Sequence, residues 1–129
     1  MSKQRILLVE DHEQVGELLT LMLHGAGHVV TWMPTAEQAQ SLLVEDAAFD
    51  TLLTDARLPG MDGLQLARWA RARFPAMCIA LQTGYSEYRI DEFPVLYKPF
   101  GPEELLQFLA KAKAALEACL KVVVPANVP

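Results

Sequence analysis

The strongest constraint on the fold is the alternation of short apolar segments with longer segments of helical periodicity. The short segments occupy residues 6–9, 51–54 and 77–81, and after the first two of them apolar residues recur every three or four positions. Short apolar runs, of which 6–9 is wholly apolar, are typical of strands that are covered on both faces. Strands separated by helices form parallel sheets with right-handed crossovers. The sequence therefore predicts a doubly wound α/β sandwich.

Helix start signals support this division of the chain. Thr35 and Gln38 have the spacing of a capping box, in which each side chain satisfies a free backbone N–H group of the first turn. Pro102 suits the first position of a helix, and the two glutamates after it suit the positive end of the helix dipole. Two further strands are predicted at residues 29–32 and 95–97.

Length and composition limit the number of domains and the class of protein. A chain of 129 residues of which 52% are hydrophobic and 21% charged suits one globular domain. We assign that domain to residues 4–120. Residues 121–129 contain two prolines and no helical period, so they are predicted to be a flexible tail or linker.

Charge and hydropathy exclude two classes of partner. The formal charge is −5 and the basic residues are dispersed, which argues against a nucleic-acid surface. No apolar stretch approaches the length of a membrane span. The first residues pass directly into a strand without the apolar region of a secretory signal, so a cytoplasmic location is expected.

Reactive side chains follow four of the predicted strands. Glu10 and Asp11 follow the first, Asp55 the third, Thr83 the fourth and Lys98 the last. In open parallel sheets ligands bind beyond the carboxyl ends of the strands. Each of these residues alone could be a turn former or a solvated strand end. Their joint placement indicates one functional site at that edge of the sheet.

The three acids of this set point to a divalent cation and to phosphoryl chemistry. Neighbouring carboxylates repel one another and raise each other's pKa unless a cation offsets their charge. Mg²⁺ prefers oxygen ligands, so Asp11 and Asp55 are predicted to bind it while Glu10 holds a water. Asp55 could then act as a nucleophile and form an aspartyl phosphate.

Phosphoryl transfer also needs donors for the equatorial oxygens of the transferred group. Mg²⁺ is predicted to take one of these oxygens, Lys98 another and Thr83 the third. Pro99 is expected to restrict Lys98, because a residue before proline favours an extended backbone.

With these residues assembled, the chain resembles the receiver domain of bacterial two-component response regulators, over roughly residues 4–120. The motifs that carry the resemblance are the acidic pair Glu10-Asp11, the acceptor strand Leu52-Leu53-Thr54-Asp55, the loop Leu58-Pro59-Gly60-Met61-Asp62-Gly63, the pair Thr83-Gly84 and Lys98-Pro99-Phe100. The resemblance implies a flavodoxin-like, five-stranded parallel sheet of order 2-1-3-4-5 with helices on both faces.

The resemblance also implies the function. Such domains accept a phosphoryl group from the histidine of a sensor kinase or phosphotransfer protein, or from a small donor, and then bind partners differently. They are phosphoacceptors that assist their own phosphotransfer and dephosphorylation, and are not enzymes. The family implies that the backbone carbonyl of Arg57 completes the Mg²⁺ shell, and that Arg57 and Tyr85 tune dephosphorylation. Two bulky side chains there favour a longer-lived phosphoryl group.

Two departures from the family pattern concern the output side. Val95 stands where the family usually has an aromatic residue that reports phosphorylation. Tyr97 is a nearby aromatic residue, but alternation along a strand does not by itself make it the substitute. The segment 84–94 is about two helical turns shorter than usual. The fourth helix of the family is therefore expected to be short, displaced or absent, and signalling to use other surfaces.

Three functions remain open on these residues. The leading interpretation is a phosphoacceptor receiver, either free-standing or part of a hybrid sensor kinase. The second is an interaction module of receiver shape that is never phosphorylated. The third is a phosphohydrolase with an aspartyl nucleophile, which is disfavoured because Arg57 occupies the position where such an enzyme needs an acid.

Overall fold

The computed structural model describes residues 3–84 and 90–123. Strands and helices alternate over most of this length, as the sequence predicts. The strands are β1 (Arg5–Val9), β2 (Val29–Met33), β3 (Thr51–Asp55), β4 (Cys78–Thr83) and β5 (Val95–Tyr97). The helices are α1 (Glu13–Gly25), α2 (Ala36–Glu45), α3 (Gly63–Arg73) and α4 (Pro102–Val123).

The strands form one parallel sheet in the order β2-β1-β3-β4-β5. This order and the helical layers confirm the predicted fold. The order reverses between β1 and β3, and in such folds the crevice at the reversal is where ligands bind. The chain thereby brings the carboxyl ends of β1, β3 and β4 side by side.

Two apolar layers cover the sheet and hold it together. Alternate residues of the central strands point to opposite faces, so Leu7 and Leu52 pack with α2 and α3, while Leu8 and Leu53 pack with α1 and α4. All four of these leucines are fully buried. Burying a leucine side chain stabilises a fold by about 1.5–3 kcal/mol, so the central strands are firmly fixed beneath the site.

The helix caps differ in one respect from the sequence prediction. Thr35 caps α2 by accepting the backbone N–H of Gln38, but the Gln38 side chain bonds the Thr35 hydroxyl and does not return to the backbone. A complete capping box lies instead at the start of α3, where Asp62 and Gln65 each accept the other's backbone N–H. This box fixes the end of the loop that follows Asp55.

The crossover between β4 and β5 carries no helix in its described residues, 90–94. Phe93 is buried there, and Glu92 bonds the side chain of Arg68 on α3 at 3.0 Å. The fourth helix of the family was expected to be short or displaced, and the part of that expectation that falls on residues 85–89 lies outside the described residues.

The last helix extends further than the sequence suggests. It ends at Val123, three residues beyond the predicted domain boundary at residue 120. The remainder of the predicted tail, residues 124–129, lies outside the described residues. None of the described helices combines the length and the apolarity that crossing a membrane requires.

Candidate functional site

Strand register places two of the predicted acids next to each other. Val9 of β1 pairs with Thr54 of β3, so the residues that follow them, Glu10 and Asp55, lie side by side at the carboxyl edge. Asp11 is the next residue after Glu10. One carboxylate oxygen of each of the three acids lies within 4.8 Å of the others. The predicted acidic cluster therefore exists as a compact set of oxygen atoms.

The three acids differ in their exposure to solvent. Glu10 is 1% exposed and Asp55 8% exposed, whereas Asp11 is on the surface. Burial raises the pKa of Glu10 above its ordinary value, although the backbone N–H of His12 and the ammonium of Lys98 act in the opposite direction. A buried carboxylate beside another acid is an unfavourable arrangement without a cation.

Lys98 supplies one positive charge to this cluster. Its Nζ lies 3.0 Å from Asp55 Oδ2 and 3.0 Å from Glu10 Oε1. Burial alone would lower the pKa of Lys98, but the hydrogen bonds and charges of the two carboxylates outweigh burial and raise that pKa. Lys98 is therefore held as an ammonium group. The peptide bond between Lys98 and Pro99 is cis.

Thr83 ends β4 and is fully buried. Its backbone carbonyl accepts the N–H of Lys98 at 2.8 Å, and it pairs in register with Tyr97. Tyr97 is 38% exposed, whereas Val95 is half-buried opposite Leu81. The predicted hydroxyl and the predicted lysine thus lie on adjacent strand ends that are joined by a backbone hydrogen bond.

Arg57 contacts the site through its backbone. Its N–H donates to Asp55 Oδ1 at 3.0 Å, so Lys98 and Arg57 hold the two oxygens of the Asp55 carboxylate between them. The Arg57 residue itself is exposed at the rim of the cleft. Tyr85, which the family resemblance pairs with Arg57, lies outside the described residues.

These side chains surround an open cleft of about 340 Å³. The cleft is large enough for a phosphoryl group with its hydration water. The residues that line it are Glu10, Asp11, His12, Val15, Asp55, Arg57, Gly84 and Lys98.

Gly63 permits a close approach that the sequence did not reveal. A Cβ atom at this position would lie 1.8 Å from the backbone carbonyl oxygen of Asp55, so only glycine fits without a shift of the backbone. The N–H of Gly63 also donates to the carbonyl of Ala56 at 3.0 Å. The first turn of α3 is therefore packed directly against the strand end that carries Asp55.

Two more contacts to Glu10 were missed by sequence reasoning. The side-chain amide of Gln82 donates to Glu10 Oε1 at 3.1 Å, and the indole N–H of Trp32 donates to the Glu10 carbonyl at 2.9 Å. Gln82 could have been found from the sequence, because it is a polar residue between the apolar run of β4 and Thr83. The contact of Trp32 depends on a strand pairing that no local pattern encodes.

Comparison with known families agrees with this geometry. The model of the response regulator receiver domain family matches residues 6–110. Members of this family are phosphoacceptors of two-component systems. The site residues described above all fall inside the matched range.

Curated relatives include both long and short proteins. The chain is 33% identical to the response regulator protein FleR of Pseudomonas aeruginosa over 114 residues, which are 83% of this chain and 24% of FleR. It is 34% identical to the response regulator receiver protein CpdR of Brucella abortus over 115 residues, 84% of this chain and 95% of CpdR. The chain thus spans about a quarter of the length of FleR and nearly all of CpdR.

Solved structures of the same kind superpose well on the chain. One is the response regulator protein TrrA from Thermotoga maritima in complex with Mg(2+)-BeF, which has a TM-score of 0.78 and 29% identity over 84% of this chain and 98% of TrrA. The sheet order, the matched family model and these relatives agree. This chain therefore belongs to the receiver domain family of two-component response regulators.

Proposed function

We propose that this receiver accepts a phosphoryl group on Asp55 and that the modification changes its binding to partner proteins. The observation that carries the proposal is the contact of the Lys98 ammonium with both Asp55 and Glu10 beside an open cleft. Fixed donors hold both oxygens of the Asp55 carboxylate, so the acceptor is oriented before a donor arrives. Such preorganisation favours transfer of a group to a defined atom.

The acidic cluster fits a hard divalent cation. Among the described residues that line the cleft, three carboxylates outnumber the two cationic side chains, Lys98 and Arg57, so negative charge remains in excess. Asp11 is exposed and its oxygen is available from the cleft. In this proposal Asp11, Asp55 and the backbone carbonyl of Arg57 hold Mg²⁺, and Glu10 holds a water. When bound, the ion supplies positive charge that offsets the charge of the phosphoryl oxygens.

The transfer step needs little covalent chemistry from the protein. A carboxylate oxygen of Asp55 bonds to phosphorus while the P–N bond of a phosphohistidine, or the P–O bond of a small acyl phosphate, breaks. The bonding electron pair leaves with the donor, whose histidine nitrogen then takes up a proton from solvent. Hydrolysis of the resulting acyl phosphate by water restores Asp55 and releases inorganic phosphate.

Lys98 and Thr83 receive the phosphoryl oxygens in this proposal. Lys98 donates to one oxygen, and its present contact with Asp55 Oδ2 supports that role. The Thr83 hydroxyl donates to another. Because the Thr83 carbonyl accepts the Lys98 N–H, a shift of either residue acts on both strand ends. This linkage carries the phosphorylation signal to the loops after β4 and β5.

The partners follow from this chemistry. The donor is a sensor histidine kinase or a phosphotransfer protein, and the chain acts in the cytoplasm, where such kinases draw on ATP. A downstream protein binds the phosphorylated form with altered affinity. Arg57 at the cleft rim restricts the access of water to the acyl phosphate and so slows dephosphorylation.

Binding of a phosphoryl mimic tests this proposal. Beryllofluoride with Mg²⁺ should shift the backbone amide NMR signals of Arg57, Gly84 and Lys98 in a saturable way, and neither component should do so fully alone. The Asp55→Asn variant should lose the beryllofluoride response while it keeps a folded spectrum. An equal response in Asp55→Asn, or none in the unmodified protein, would remove Asp55 as the acceptor.

A further inference from the structure

Gln82 is a polar side chain in a place that favours apolar ones. It lies in β4, pairs in register with Asp55 of β3, and is fully buried. Most of the other residues of β4 are apolar and buried. A buried amide is retained at such a position only when its hydrogen bonds are made or when it serves the neighbouring site.

The hydrogen bonds of Gln82 do not favour a role in stability. Its Nε2 donates to Glu10 Oε1 at 3.1 Å, but its Oε1 has no hydrogen-bond partner among the residues that the structure describes. A buried carbonyl oxygen without a donor costs free energy in the folded state. An apolar side chain of similar size would avoid that cost. The hydrogen bond to Glu10 is therefore what glutamine provides at this position and an apolar residue could not.

Among the described residues, three donors hold the Glu10 side chain. Oε1 accepts from Gln82 and from Lys98, and Oε2 accepts from the backbone N–H of His12. Lys98 is shared with Asp55, and in the proposed function it turns toward a phosphoryl oxygen. Once Lys98 has turned, the amide of Gln82 is the remaining side-chain donor to Glu10 among the described residues.

We infer that Gln82 is a positioning residue for the metal site: it keeps the Glu10 carboxylate facing the cleft while Lys98 exchanges between Glu10 and the phosphoryl group. This inference rests on the proposed function. Groups that orient the ligands of a metal commonly change its affinity by about 10- to 100-fold when they are removed. The Gln82→Leu variant should therefore bind Mg²⁺ about tenfold more weakly. Its melting temperature should change little, because the loss of a donor to Glu10 and the removal of the unpartnered oxygen act in opposite directions.

A matched control is available at the opposite end of the sheet. Gln4 is also a buried glutamine, and its Oε1 accepts the hydroxyl of Thr51 at 2.6 Å. The Gln4→Leu variant leaves the Thr51 hydroxyl without that acceptor, so it should lower the melting temperature. Because Gln4 is remote from the acids, the same variant should leave Mg²⁺ affinity unchanged.

The measurement is a titration of each protein with MgCl₂, followed by the backbone amide NMR signals of His12 and Arg57. The dissociation constant comes from the shifts, and the melting temperature is measured separately by circular dichroism. A tenfold weaker constant for Gln82→Leu, with the control unaffected, supports the inference. An equal or tighter constant for Gln82→Leu overturns it.

The unmodified protein provides a second test that does not depend on the folding of a variant. The side-chain amide protons of Gln82 should exchange slowly with solvent and should shift when Mg²⁺ is added. Rapid exchange and no shift, while His12 and Arg57 respond to Mg²⁺, would overturn the role of Gln82 alone. If no signal of the unmodified protein responds to Mg²⁺, the proposed metal site itself fails.

Discussion

Lys98 Nζ lies 3.0 Å from Asp55 Oδ2 while it also lies 3.0 Å from Glu10 Oε1. One ammonium group thus joins carboxylates at the carboxyl ends of two different strands. The side chain of Lys98 is 24% exposed and that of Glu10 only 1%, so solvent screens this contact only in part. The contact both offsets charge in the acidic cluster and orients the Asp55 carboxylate, the proposed acceptor.

Replacing Lys98 by methionine should therefore destabilise the fold and change its response to metal. The variant leaves two acids without their shared cation, which should cost on the order of 1–3 kcal/mol of unfolding free energy. Mg²⁺ should recover more stability in Lys98→Met than in the unmodified protein, because it then offsets more charge. Urea unfolding with and without MgCl₂ measures both effects. Lys111→Met is the control, because it removes an exposed lysine. An equal gain in unfolding free energy on adding Mg²⁺ for the unmodified protein and both variants would refute the prediction.

Gly16 should not tolerate alanine, although it lies within a helix. A Cβ atom there would lie 2.1 Å from the ring of Trp32, whose indole N–H bonds the Glu10 carbonyl. Overpacking of this kind costs about 1–3 kcal/mol, which exceeds the gain of about 1 kcal/mol that alanine normally brings to a helix. The unfolding free energy of Gly16→Ala should therefore fall.

Gly25 in the same helix is the matched control for this substitution. No atom lies within 4 Å of a Cβ built at Gly25. Gly25→Ala should consequently be neutral or stabilising in the same denaturant experiment. A stabilised Gly16→Ala variant would contradict the prediction, because it would show that a methyl group fits between residue 16 and the ring of Trp32.

Apolar burial, and not the surface ion pair, should hold the segment between residues 90 and 94. Phe93 is 5% exposed, and the guanidinium of Arg71 lies 3.8 Å from the centre of its ring. Phe93→Ala should cost about 3 kcal/mol or more, as truncations of buried aromatic residues do. Glu92→Ala removes only an exposed partner of Arg68, so its effect should be much smaller. Comparable losses for the two variants in urea unfolding would contradict this prediction.

His28 should make stability depend on pH in the weakly acidic range. It is 2% exposed, and burial lowers its pKa below the ordinary value of 6.5. The unfolded chain then binds more protons than the folded one, so stability should fall as the pH drops from about 7.5 to about 5.5. His28→Asn keeps an acceptor for the N–H of Gln4 and removes the titration, so its stability should vary less with pH. Equal slopes for the two proteins would exclude His28 as the cause.

The sequence was sufficient for the sheet and for the charged members of the site. Short apolar runs and helical periodicity indicate which elements are buried. Glu10 and Asp11 follow β1, Asp55 is the last residue of β3 and Lys98 follows β5, so sheet topology brings the four together. The metal site that the three acids predict follows from their charge, because clustered acids need a cation, and it stays a prediction.

The supporting contacts could not be predicted in the same way. Trp32 meets Gly16 and Glu10 only because β2 pairs with β1, and Gln82 meets Glu10 across 72 positions of sequence. Periodicity shows which face of an element is buried but not which atoms lie opposite it. The sequence also gives no local sign that α4 continues through Val122 and Val123, since valine is a weak helix former.

The intact mass of the protein after incubation with acetyl phosphate shows whether Asp55 accepts a phosphoryl group. A single phosphoryl adduct is expected in the presence of Mg²⁺, none with EDTA and none in Asp55→Asn. Asp62→Asn, at the helix cap in the loop after Asp55, should be labelled like the unmodified protein. An adduct that persists in Asp55→Asn would refute the assignment of Asp55 as the acceptor. No adduct, under conditions that label another receiver, would favour a docking module that is never phosphorylated.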